Sequence, residues 1–271
     1  MSAVVRAAPV RGPLARGLLG LTWAWVFVVV LLPMLSLLWA GLRSPGPITA
    51  ALVRSDVLYS LGLTLVITLL TVAFTLVFGA AGGIVLVRGR LPGRRLLDAA
   101  IDLPLAVSPV MIGLAFLLLI GRQGLFGPTL SALGVQIAFA PLGVLIGTLF
   151  VTLPLTVREV AVLLEELGTS EEEAAATLGA TRWQALWWVT LPNLREALVG
   201  GTLLTVARSL GEFGAVLVLG GAIAMRTSTA TTSIHLAIEE RDLPVATGLS
   251  LLLAAASISL VTALRRRGGG A

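Results

Sequence analysis

Five stretches of this chain contain no charged residue: Leu18–Leu42, Val57–Val87, Leu103–Gly121, Gln123–Val157 and Leu243–Leu264. A sixth, Ala197–Met225, is interrupted only by Arg208 and Glu212. Crossing the hydrocarbon of a bilayer takes ~20 apolar residues in a helix, so each stretch is a candidate span. Only 12% of the 271 residues are charged and the mean hydropathy is +1.00, whereas a soluble domain carries ~25% charge. Six spans use up most of the chain and leave no room for a separate soluble domain. The expected fold is an all-α polytopic membrane protein with about six transmembrane helices. Leu18–Leu42 is too long for a signal-peptide core and lacks a small-residue cleavage site, so it reads as a true span. Trp23, Trp25 and Trp39 lie near its ends, where indoles anchor at the interface.

All 19 basic residues are arginine. Their distribution orients the spans, because short cytoplasmic loops are enriched in positive charge. Arg6, Arg11, Arg16, Arg88, Arg90, Arg94, Arg95, Arg158, Arg182, Arg195 and Arg265 to Arg267 fall on one side, thirteen in all. Arg43, Arg54, Arg122, Arg226 and Arg241 fall on the other. Both termini and the loop after the fourth span are therefore expected in the cytoplasm. The net charge of +5 follows from this asymmetry and gives no reason to expect a nucleic-acid partner. A chain without lysine cannot hydrolyse ATP through a P-loop. A chain without cysteine has no disulfide, iron–sulfur or thiolate-zinc chemistry.

Two of the spans carry interruptions. The third opens "IDLPLAVSPV", in which Pro104 and Pro109 each remove a backbone donor and should bend or break the helix. Ser108 lies between them, either lining a pathway or relieving the broken backbone. Val57–Val87 is long for one crossing and is expected to tilt. "GRQGLFGP" (Gly121–Pro128) reads as an external turn or shallow re-entrant element, and the fourth span lies within Phe139–Val157.

The loop that follows holds "TSEEEAAATLGATRWQALWWVTLPN" (Thr169–Asn193). Ser170 as N-cap with Glu173 reaching back fits a capping box. Glu171 and Glu172 stand where the helix dipole favours anions, and Gly179 can close the helix in a left-handed cap. Trp183, Leu186, Trp187 and Leu191 form one apolar stripe of a second short helix, with Pro192 marking its end. A small-residue face flanked by acid suits insertion into a groove on another protein. From the residues alone, an ordinary capped surface helix is the alternative.

Spacing adds a resemblance. Glu173-Ala174-Ala175, then Gly179 four positions on, then Val189-Thr190-Leu191-Pro192 after nine more residues resembles the cytoplasmic signature of binding-protein-dependent ABC transporter permeases, with Val189 in place of isoleucine. The likeness extends over roughly Ser60 to Leu264. It is carried by "DLPLAVSPVMIGL" (Asp102–Leu114), "GRQGLFGP", "VREVAVLLEELGTSEEEAAATLGA" (Val157–Ala180), "VTLPN" (Val189–Asn193) and "ARSLGEFGAV" (Ala207–Val216). It is nearest to the sulfate/thiosulfate permeases, in particular their W-type subunit, with molybdate/tungstate permeases as the alternative.

The resemblance implies a MetI-like importer fold in a bacterial inner membrane. It implies a pathway-forming subunit that is not itself an enzyme and binds no cofactor or metal. Two ATPase chains beneath it use ATP and magnesium. A second permease subunit, either a T-type chain or a copy of this one, shares the pathway, and an extracytoplasmic protein delivers the anion. Residues 1–56 would comprise the cytoplasmic tail, first span and external loop. Residues 57–264 would form the permease core, with a coupling segment at 165–195, and 265–271 a cytoplasmic tail. Glu171, Glu172, Glu173, Ala174, Ala175, Gly179, Leu191 and Pro192 would couple the spans to the ATPase.

Arg208 and Glu212 are four residues apart and so on one helix face. Arginine at mid-bilayer costs at least ~2.5–3.5 kcal/mol on insertion scales, which excludes a lipid-facing position. They are either a structural pair bracing the span or pathway residues that attract and release an oxyanion. Gly211 and Gly214 beside them would permit close helix approach. Ser108 and Pro109 are the other pathway candidates. His235 is expected to be solvated in an external loop, "RTSTATTS" (Arg226–Ser233) to be a polar loop, and Glu239–Asp242 to form a solvated rim. A secondary transporter or channel is the rival class, but it would not need the glutamate-headed helix.

Overall fold

A computed structural model describes residues 13–89 and 92–268. Arg6, Arg11 and Arg90, which carry part of the orientation reading, and residues 269–271 of the tail lie outside the described residues. In chain order the helices are α1 (Gly17–Arg43), α2 (Pro45–Leu52), α3 (Ser55–Arg88), α4 (Arg94–Ala106), α5 (Pro109–Ile120) and α6 (Gly127–Ala132). Then follow α7 (Pro141–Leu167), α8 (Ser170–Thr177), α9 (Arg182–Ala185), α10 (Arg195–Leu210), α11 (Gly214–Gly220), α12 (Ala230–Glu239) and α13 (Leu243–Gly268). Among the described residues all regular structure is helical.

Among the described residues four helices are long and apolar enough to cross a membrane: α1, α3, α7 and the Leu243–Leu260 part of α13. The other two candidates are bent pairs. α4 and α5 meet at 113°, and α10 and α11 at 57°. The third apolar stretch is therefore not one continuous span. The break falls at Val107 and Ser108, both extended (ψ 143° and 134°), because a residue preceding proline is pushed out of the helical region. Pro109 then opens α5 at a position where a missing donor costs nothing. Pro104 breaks nothing; it is carried inside the last turn of α4. The fifth stretch ends early as well. α10 stops at Leu210, and α11 is closed by Gly221 in the left-handed region (φ 73°), leaving the residues up to Met225 in a turn.

α7 is the central rod. Val144, Val151, Val157, Val160 and Leu164 are buried along it, and neighbours approach it through small residues. A β-carbon added at Gly79 of α3 would stand 2.8 Å from Thr156 Cβ, and one at Gly83 2.7 Å from Val160 Cβ. One added at Gly201 of α10 would stand 3.1 Å from Thr156 Cα. Such backbone-to-backbone approach is how helices associate in lipid, where apolar side chains have no hydrophobic drive to separate from the tails. Several hydroxyls inside the bundle are satisfied locally: Thr148 donates to Val144 O and Thr152 to Thr148 O, both at 2.8 Å, and Thr156 meets Thr205 at 3.2 Å. The buried hydroxyls of Thr68, Thr71 and Ser209, by contrast, have no partner among the described residues. α13 packs through Val245, Ala246 and Leu249 on Ala51, Val57, Ala230 and Ala237. The described side chains of α1 bury nothing.

Polar contacts sort to the two ends of this bundle. At the α8 end, Arg88 pairs with Glu172, Arg94 with Glu165, and Arg158 with both Asp98 and Asp102 at 2.6 and 2.7 Å. At the opposite end, Arg54 pairs with Asp56 and Asp242, Arg226 donates to Gln136, and Tyr59 donates to the Arg226 carbonyl. These arginines share an end as their positions between the apolar stretches require.

Candidate functional site

The loop between α7 and α10 is a compact joint. α7 ends on Gly168, whose φ of 64° and ψ of −155° belong to glycine alone. The N-cap of α8 is Thr169, one residue before the expected Ser170. The first helical bond runs from Glu173 N–H to Thr169 O at 2.9 Å, and the Thr169 hydroxyl donates to the Glu173 carboxylate at 2.6 Å. The expected Ser170 cap is off by one because two hydroxyl residues stand side by side, and the cap falls directly after the non-helical Gly168. Gly179 closes the helix as expected, with φ 89° and an Ala180 N–H bond back to Ala175 O at 3.0 Å.

The three glutamates do not form one outward face. Glu172 turns inward, pairing with Arg88 Nε at 3.1 Å and accepting from Thr190 Oγ1 at 2.9 Å. Glu171 accepts from Asn193 Nδ2, and Arg88 Nη2 donates to the Gly168 carbonyl. Sequence reasoning assigned Arg88, Gly168, Thr190 and Asn193 no part in this joint, since the Arg88 contacts span about eighty residues of chain. The surface left facing outward holds Ala174, Leu178 and Trp188, the last two 88% and 80% exposed. Between α8 and α9 it encloses a cleft of about 350 Å³ lined by Ala175, Leu178, Gly179, Ala180, Gln184, Ala185, Trp188 and Val189.

The second short helix also differs from its expectation. Thr181 and Gln184 form a reciprocal capping box, a signal present in the sequence as T-x-x-Q. α9 then widens into a π-helical turn over Leu186–Thr190 and runs on through Leu191–Asn193. Pro192 therefore does not end the helix; the wide turn takes up the carbonyl geometry that proline disturbs. Trp183 and Trp187 meet edge to face at 5.7 Å but remain more than half exposed. Leu191 and Pro192 line an apolar groove of about 500 Å³ with Leu76, Trp187, Leu198 and Val199.

The pathway candidates converge where the two bent pairs touch. A β-carbon at Gly214 would lie 3.0 Å from Pro109 Cβ, and one at Gly113 2.8 Å from Val218 Cβ and 3.0 Å from Ala215 O. α5 and α11 therefore cross backbone to backbone beside the breaks. Gly214 does what was expected of it. Gly211 does not: a β-carbon there would meet only its own helix, at 3.8 and 3.9 Å. Ser108 is the exposed N-cap of α5 and its hydroxyl caps nothing.

Arg208 Nη1 stands 2.5 Å from Glu212 Oε2. They do not share the face of one helix, because Glu212 lies beyond the end of α10, inside the break. There its Oε1 accepts from Ala215 N–H at 3.1 Å, capping α11, and its carbonyl accepts from Thr231 Oγ1 at 2.6 Å. The Arg226–Ser233 stretch is likewise not a solvated loop. Thr227, Ser228, Thr229 and Thr232 are buried, with Thr229 and Thr232 forming a capping box for α12 and Ala230 N–H donating to Thr64. His235 sits on α12 against the Phe213 ring, 5.1 Å between centroids, with Glu239 at 3.3 Å. Asp242 is no free rim charge either; it pairs with Arg54 at 2.6 Å and its other oxygen caps α13 at Val245 N–H.

Residues 76–266 match the family described as "Binding-protein-dependent transport system inner membrane component". The chain belongs to this family. Among similar proteins, "Sulfate permease 2, chloroplastic" of Chlamydomonas reinhardtii is 40% identical over 251 residues, 92% of this chain and 68% of that protein. "Sulfate transport system permease protein CysW" of Synechocystis sp. is 40% identical over 238 residues, 88% of this chain and 86% of that one. "Sulfate transport system permease protein CysT" of Escherichia coli K12 is 37% identical over 244 residues, 90% and 88%. A subunit in the crystal structure of a bacterial alginate ABC transporter, in complex with alginate pentasaccharide-bound periplasmic protein, superposes with a TM-score of 0.77 at 15% identity, covering 93% of each chain. The permease fold expected from the loop signature is the fold observed, and a multi-pass inner-membrane location follows from the family.

Proposed function

We propose that this chain is the pathway-forming subunit of an ATP-driven importer of an inorganic oxyanion, sulfate or thiosulfate. The observation that carries this reading is the near full-length likeness to permeases named for sulfate, at 37–40% identity. In this reading residues 57–264 are the permease core, and the α8 end of the bundle faces the cytoplasm. A separate ATPase pair grips the exposed side of α8 at Ala174, Ala175 and Gly179, with Glu173 fixing the helix start. Glu171 and Glu172 act inward, tying the gripped helix to α3 and to the segment before α10, while Leu191 and Pro192 join it to the spans. A second permease subunit and an extracytoplasmic anion-binding protein complete the pathway. In the same reading Arg208, beside the abutting bends, lines the pathway, where its half-open guanidinium offers positive charge to a dianion. The test is reconstitution: vesicles holding this chain with its ATPase and second permease, binding protein outside and ATP inside, should import labelled sulfate. Uptake driven by an ion gradient without ATP would make it a secondary transporter, and preference for molybdate would change the substrate.

A further inference from the structure

We propose that Arg88 is the positioning residue that locks the hinge at Gly168, so that α8 cannot swing on α7 independently of α3. The proposal rests on the reading that a separate ATPase pushes on α8.

α8 hangs from the 27-residue rod α7 by two residues, the glycine Gly168 and the N-cap Thr169. Glycine is the residue least able to resist rotation, so a push on α8 would be absorbed at that joint unless something spans it. One guanidinium does. Arg88 Nη2 donates to the Gly168 carbonyl on the hinge itself, and Arg88 Nε pairs with Glu172 four residues further on. Glu172 also accepts from Thr190 Oγ1, so the chain returning toward α10 is held at the same carboxylate.

The base of the brace is firm. Arg88 is the last residue of α3, whose final turns pack on α7: Ala80 joins Val160, Leu164, Leu194 and Ala197 in one buried cluster, and Leu86 joins Val157 and Ala161 in another. The paired side chains are 20% and 25% exposed, so this is not the freely solvated ion pair that contributes almost nothing. A charge-assisted contact to a carboxylate and a carbonyl at once also fixes direction as well as distance, which a guanidinium fork can do and an ammonium cannot. Displacement of α8 is thereby delivered to α3 and α7 together.

The experiment uses the complete complex in vesicles and reads ATP hydrolysed per anion imported, for wild type, Arg88→Gln and Glu172→Ala. A coupling link in the usual range predicts about a tenfold rise in that ratio for Arg88→Gln with the assembled complex intact, and a smaller rise for Glu172→Ala, which keeps the bond to Gly168. A second readout needs no transport. The chain has no cysteine, so spin labels introduced at Glu166 and Ala176 report the α7–α8 distance without background, and Arg88→Gln should broaden that distribution. Wild-type ratios in both variants, or an unchanged distance distribution, overturn the proposal. If Arg88→Gln fails to assemble, a wild-type ratio in Glu172→Ala alone overturns it and a raised one supports it. Wild-type vesicles that import nothing with ATP overturn the parent reading, and this one with it; coupled wild type with coupled variants overturns this one alone.

Discussion

Glu212 is sealed inside the break between α10 and α11 with its side chain 1% exposed, while Arg208, its partner at 2.5 Å, is 36% exposed. The pair is asymmetric, and the two truncations should not behave alike. Arg208→Ala strands a buried carboxylate, and leaving a buried charged group without its hydrogen-bond partner costs about 2–3 kcal/mol. Glu212→Ala leaves an arginine that water can still reach and removes one helix cap, a loss of about 1–2 kcal/mol. Thermal unfolding of the purified complex should rank them in that order.

The same asymmetry shows how to isolate the part Arg208 plays in transport. The double substitution Arg208→Ala with Glu212→Gln removes both charges and keeps an oxygen to accept from Ala215 N–H. It should recover most of the stability lost by Arg208→Ala while sulfate uptake stays at least about tenfold down, the size of a lost charge-assisted contact. Uptake that returns together with stability would make the pair a structural brace and nothing more.

Close helix crossing gives a test with an internal control. Gly113→Ala drives a methyl to within 2.8 Å of Val218 Cβ and 3.0 Å of the Ala215 carbonyl, and overpacking of this kind costs about 1–3 kcal/mol. Gly211→Ala meets nothing closer than 3.8 Å and should leave the melting temperature within a degree or so of wild type.

At the far side of α8, Gly179 holds φ 89° with open space around it, so only conformation resists a side chain there. Gly179→Ala should cost about 1–2 kcal/mol locally and lower the yield of complex with the ATPase. Gly179→Asn, whose side chain tolerates the left-handed region, should retain most of it.

Leu178 is 88% exposed and buries almost nothing in this chain. Leu178→Asp should therefore leave the melting temperature of the isolated permease unchanged while sharply reducing the ATPase recovered in pull-down. Equal recovery would move the gripping surface elsewhere.

What the sequence made legible was what helical periodicity and short-range chemistry control. The apolar stretches gave the spans, Gly179 the helix end, and the spaced Glu173–Pro192 pattern the family. What it hid depends on contacts between distant segments. No local pattern joins Arg88 to Glu172, or turns Thr227–Thr232 inward against Thr64. Proline was legible as a breaker but not which one: Pro109 acts because Ser108 can extend, whereas Pro104 is absorbed in a helix about to end. The Arg208–Glu212 spacing correctly paired the residues for an incorrect reason, because the helix that would have aligned them stops between them.

The first helix, α1, has a consequence of its own. Its described side chains bury nothing, and Gly41 touches the rest only near Leu251. Deleting it should therefore leave the packing of the other five candidate spans largely in place, while shifting the parity of crossings ahead of α3 by one. Swapping it for an unrelated hydrophobic anchor of the same direction should give a chain that still folds.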